Sequence, residues 1–161
     1  VACKIQTLLA LDRLDLAKLE LKTLQKSHEE SIVAELCSVY VNLASGASAA
    51  MNAEHTINSL SEQYGPSVYL LNLLAAALCV AGDYAAAETK LQEALRDFEE
   101  IKPQPETLIN LVNVYQHQGK DATSSIQQVL ADKTSHSSLQ FAAGLDRVTT
   151  AFDREAHKYK V

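Results

Sequence analysis

Apolar residues return in this chain at one long interval, and that interval fixes the kind of architecture it can adopt. Leu8, Leu43, Leu78 and Tyr115 are 35, 35 and 37 residues apart. The last three each close a similar local pattern. Leu71, Leu74 and Ala75 precede Leu78, and Gly82 follows; Leu36, Val39 and Tyr40 precede Leu43, and Gly46 follows; Leu108, Leu111 and Val112 precede Tyr115, and Gly119 follows. Spacings of three and four put such residues on one side of an α-helix. Nine or ten residues after Leu8, Leu43 and Leu78 comes a second pattern, a small residue and a bulky one four positions apart: Ala17-x3-Leu21, Ala53-x3-Ile57 and Ala87-x3-Leu91. The small residue lets two helix backbones approach, and the bulky one fills the groove beside it. Each period is therefore a helix pair, which buries its apolar side only by stacking on its neighbours.

The first pattern follows the W-x2-L-G-x2-Y spacing and the second the A-x3-F spacing of a tetratricopeptide repeat. The expected fold is all-α: a right-handed tetratricopeptide-repeat superhelix forming one solenoid over 1–161, with pairs at 1–26, 31–63, 67–99 and 106–132. Pro66 and Pro105 fall at helix starts, where a missing N–H is harmless. Ser124 and Gln128 occupy the A-x3-F positions of the fourth pair, so Ile126, Val129 and Leu130 are expected to supply its apolar face. Phe141, Leu145, Val148 and Phe152 then predict a capping helix over about 138–157. The chain opens at Val1 inside a helical pattern, as a piece of a longer protein would.

Composition excludes several functions. The net charge is −6 and no Lys/Arg stripe is present, which argues against nucleic acid and anionic membrane as direct partners. Cys3, Cys37 and Cys79 form no C-x-x-C pair and read as small buried hydrophobes of a reducing compartment. The five histidines lack metal-ligand spacing, and no two glycines are placed for a nucleotide loop. Glu29-Glu30 and Glu99-Glu100 are adjacent, so on a helix they diverge by about 100° and read as solvated faces. The apolar run Val68–Ala81 is too short to span a bilayer. No catalytic, cofactor or metal residue is assigned, and the expectation is a non-enzymatic binding scaffold.

The candidate site lies on the first helix of the third pair. Leu71, Leu74, Ala75 and Leu78 are expected to pack within the stack, leaving Tyr69, Asn72, Ala76, Cys79 and Val80 toward a groove. This helix carries no charge, so both its faces are expected to be covered. The equivalent stripe of the second pair, Ala34, Cys37, Val41 and Ala44, is equally small and apolar; both stripes face the groove, or neighbouring repeats curl tightly and cover them. In the fourth pair Asn113 and Gln116 fall on the inner face. Inner faces without Lys or Arg do not suit the carboxylate clamp of a co-chaperone adaptor, the competing reading, and suit an apolar element instead.

The order and spacing of several short segments carry a family resemblance. Arg13-Leu14-Asp15-Leu16-Ala17, Glu20-Leu21-Lys22, Leu70-Leu71-Asn72, Leu91-Gln92-Glu93-Ala94-Leu95, Glu106-Thr107-Leu108-Ile109-Asn110-Leu111, Gln116-His117-Gln118-Gly119-Lys120 and Phe152-Asp153-Arg154 together resemble the C-terminal half of coatomer epsilon subunits. The resemblance implies a structural subunit of the coat protein I (COPI) vesicle coat in transport between Golgi and endoplasmic reticulum. It implies a superhelix that wraps the C-terminal region of the alpha coatomer subunit, contact with other coat subunits through it, and a cytoplasmic location with only indirect membrane association. It implies no cofactor.

Overall fold

The computed structural model describes residues 1–28, 31–98 and 104–159. Among these, the regular structure is helical, without a strand. The helices are α1 (Ala2–Ala10), α2 (Leu14–Ser27), α3 (Ile32–Ala44), α4 (Ala47–Tyr64), α5 (Val68–Ala81), α6 (Tyr84–Asp97), α7 (Pro105–Gln118), α8 (Thr123–Ala131) and α9 (His136–Ala156), followed by a 3-10 turn at His157–Tyr159. Within each of its two units consecutive helices pack against one another, as the all-α repeat pattern predicts. The chain divides into two compact units, Val1–Asp97 and Phe98–Val161.

In the first unit the small and bulky residues of every pair are buried: Ala17 and Leu21, Ala53 and Ile57, Ala87 and Leu91. Two apolar clusters hold it together. One joins α1, α2 and α3 through Ile5, Ala17, Leu21, Leu24, Ala34, Cys37 and Val41. The other joins α3, α4 and α5 around Val39, Ala53, Ile57, Leu60, Leu70, Leu73, Leu74 and Ala77. Half of α5 is buried because α4 and α6 cover two of its sides, and its remaining face is uncharged as well.

The turn between α5 and α6 shows how two residues end one helix and start the next. Gly82 is left-handed at φ +88°, and the Asp83 amide donates back to the Leu78 carbonyl at 2.9 Å. The Asp83 carboxylate then accepts from the Ala86 amide at 3.0 Å, capping α6. A Cβ on Gly82 would meet no atom within 4 Å, so a side chain there is opposed by backbone conformation alone. Gly82→Val is expected to cost about 1–2 kcal/mol. Ala87 has no exposed surface, and Ala87→Leu is expected to cost about 1–3 kcal/mol by overpacking. Urea denaturation followed by circular dichroism checks both; parental midpoints would show that the repeat register is wrong.

In the second unit α7 and α8 pair, and α9 packs on both. The expected apolar face of α8 is present, with Val129 buried and Ile126 and Leu130 half-buried. Ser124 and Gln128 are exposed, while Ser125 and Val129 are buried in the small-and-bulky role. The reason is the turn: Ser125 lies six residues after Gly119, whereas Ala87 lies five after Gly82, so the buried register moves by one. The capping helix forms where expected, at His136–Ala156, with its apolar seam only partly covered. Ser138 is buried and Phe141 half-buried, but Leu145, Val148 and Phe152 are exposed. Length explains this. The 21 residues of α9 extend roughly 32 Å, and the nine of α8 only roughly 14 Å, at 1.5 Å per residue. The shorter helix covers the start of α9 and leaves the rest of its apolar seam open.

Candidate interaction surfaces

Tyr69, Asn72, Ala76 and Cys79 recur at i, i+3, i+7 and i+10 and therefore share one face of α5. Tyr69 is 45% exposed, and the other three are half-buried. The Tyr69 and Tyr40 hydroxyls share a hydrogen bond of 2.5 Å, which ties this face of α5 to α3. Burial first, and then that hydrogen bond, hold the Tyr69 phenol above its ordinary pKa. The Asn72 side-chain amide donates to the Val68 carbonyl one turn back at 2.9 Å. Burial also pushes the Cys79 and Cys37 thiols up, which keeps both protonated at neutral pH. The face is thus neutral, partly desolvated and small in relief around Ala76.

The equivalent stripe of α3 is not part of an open surface. Ala34, Cys37 and Val41 are buried against Ile5, Ala17, Leu21 and Leu24 of the first pair, and Ala44 is exposed. Of the two placements the sequence left open for this stripe, the structure gives the one against neighbouring repeats. The small side chains of α3 are what lets α1 and α2 come close enough to cover them.

The second unit carries a groove of about 590 Å³ between α7 and α9. Asn113 and Gln116, both exposed, line it together with Ile109 and Val112 of α7 and Phe141, Leu145 and Val148 of α9. Its wall is mainly apolar, and its volume falls in the range of about 300–1,000 Å³ typical of ligand sites. Arg147 of α9 is the one charged residue in this lining. Reading only the inner faces of the paired helices misses it. The open apolar seam Leu145–Val148–Phe152, with an arginine beside it, was the signal that could have found it.

These surfaces are built for non-covalent contact: apolar relief, side-chain amides and one cation. Among the described residues no three His, Cys, Asp or Glu side chains converge as metal ligands. No helix among them is long and apolar enough to cross a membrane. The carboxylate pairs Glu29-Glu30 and Glu99-Glu100 lie outside the described residues.

Comparison with known proteins gives a consistent relationship. A family model described as the coatomer epsilon subunit matches residues 1–160. The chain is 31% identical over 145 residues to coatomer subunit epsilon-1 of Arabidopsis thaliana, covering 90% of this chain and 49% of that one. It is 29% identical over 155 residues to coatomer subunit epsilon-2 of Oryza sativa subsp. indica, covering 96% of this chain and 50% of the relative. A third relative, coatomer subunit epsilon of Dictyostelium discoideum, is 32% identical over 114 residues, 69% of this chain and 36% of the relative. The chain spans about half the length of the plant relatives it matches. A helical-repeat fold with neutral, partly open faces and a family match along almost its whole length lead to one assignment: this chain belongs to the coatomer epsilon subunit family.

Proposed function

We propose that the chain serves as a structural subunit of the coatomer vesicle coat and that its helical repeats hold the C-terminal region of the alpha coatomer subunit. Other coat subunits are reached through that partner. In this reading the protein is cytoplasmic, joins Golgi and transport-vesicle membranes peripherally through the coat, and carries out no catalysis. The observation that supports it best is the α5 face. Tyr69, Asn72, Ala76 and Cys79 present a neutral surface without a single charged residue along the helix. Neutral, partly apolar faces of this kind mark interaction sites. Asn113 and Gln116 are proposed to contribute from the second unit. A co-chaperone adaptor is less well supported, because the α5 face has no cation with which to clamp a peptide carboxylate.

Co-expression of this chain with the C-terminal region of the alpha coatomer subunit tests the proposal. The two are expected to co-purify through size exclusion as one species. Separate elution of two folded proteins would contradict it.

A further inference from the structure

The groove between α7 and α9 has an electrostatic feature that the neutral α5 face lacks. Its lining is neutral except for Arg147. The protein has four arginines, and three are paired among the described residues: Arg13 with Asp15 at 3.0 Å, Arg96 with Asp97 at 2.7 Å and Arg154 with Glu155 at 3.3 Å. The Arg147 side chain has no ion-pair or hydrogen-bond partner among the described residues. The helix register explains this. The positions three and four away are Ala143, Gly144, Thr150 and Ala151, none of which carries a carboxylate. The Asn113 and Gln116 side chains, in the same groove, likewise form no hydrogen bond among the described residues.

We propose that this groove takes an apolar segment of the partner that bears a side-chain carboxylate, and that Arg147 pairs with that carboxylate. The inference rests on the functional reading above and adds the chemistry of the partner's contact. Apolar side chains of the segment lie against Ile109, Val112, Leu145 and Val148. The planar guanidinium takes a carboxylate through two parallel N–H bonds, a geometry that an ammonium lacks. The carboxylate belongs to an Asp or Glu within the segment. A chain end would call for several convergent cations, and the groove lining offers one. The match is one of charge: a single uncompensated cation beside an apolar wall fits an apolar segment with one negative charge.

Calorimetric titration with the C-terminal region of the alpha coatomer subunit is the test, run on the parent chain, Arg147→Ala, Arg147→Lys and Arg154→Glu. A hydrogen bond to a charged group is worth about 1.5–3 kcal/mol, so Arg147→Ala is expected to weaken binding by about ten- to a hundredfold. Arg147→Lys should recover part of that loss. Arg154→Glu, outside the groove lining, should bind within about twofold of the parent. Parental affinity in a folded Arg147→Ala protein would overturn the carboxylate pairing and leave the functional reading intact. A loss in Arg154→Glu as large as that in Arg147→Ala would overturn it too, since general electrostatics would then account for both. No binding by the folded parent would overturn this inference together with the functional reading.

Discussion

Ile57→Ala lowers the unfolding free energy of the first unit by about 3–4 kcal/mol, the largest expected loss of stability from a single truncation here. Ile57 has no exposed surface and sits among Val39, Ala53, Leu60, Leu70, Leu73, Leu74 and Ala77, which come from three successive helices. Truncation removes the side chain that fills the groove beside Ala53 and leaves a cavity that no single helix can close, because each neighbour is also held by its own pair. A loss of this size is a large fraction of the roughly 5–15 kcal/mol that stabilises a typical domain. Equilibrium urea unfolding gives the value. A change below about 1 kcal/mol would mean that Ile57 is not a shared core residue and that the repeat packing differs from this description.

The second large effect is on binding. Ala76→Asp is expected to weaken association with the alpha coatomer C-terminal region by about a hundredfold or more while leaving the chain folded. Ala76 is half-buried on the α5 face, between Asn72 and Cys79. In the unbound protein water still reaches the new carboxylate, so stability changes little. In the complex the charge would be enclosed without a cation nearby on α5, a cost of several kcal/mol. At roughly 1.4 kcal/mol per tenfold, that becomes two or more orders of magnitude in the dissociation constant. Calorimetry on the variant, with its melting curve as a control, checks both halves. Unchanged binding would remove this face from the interface.

The fold was legible in the sequence wherever burial and period coincide. Ala17, Ala53 and Ala87 with their bulky partners sit at positions that only a close helix approach can use, and all are buried. Legibility failed where a loop length or a neighbour's length decides the outcome. The extra residue between Gly119 and Ser125 shifts the register of α8, and spacing measured from the tyrosine of α7 does not show where such a shift falls. Whether the seam of α9 is covered depends on how far α8 reaches, a property of another element altogether. The candidate site divides in the same way. The neutral α5 face could be read from the absence of charge along one helix. The burial of Ala34, Cys37 and Val41 could not, because the same small side chains suit an open groove and a close helix contact equally. Arg147 was hidden for a related reason: it belongs to a helix read as a cap, and only the packing of α9 against α7 brings it to the groove that holds Asn113 and Gln116.

Salt dependence separates the two kinds of contact proposed. An apolar α5 face predicts an affinity that is largely insensitive to ionic strength, and a single pair at Arg147, held against the apolar groove wall, adds only a modest slope. The most direct measurement of the central claim is a calorimetric titration of the alpha coatomer C-terminal region into this chain, repeated at low and high salt. Saturable one-to-one binding with a negative heat-capacity change from buried apolar surface is expected, retained at high salt. Absence of binding by the folded chain, or binding that collapses at moderate salt, would contradict it.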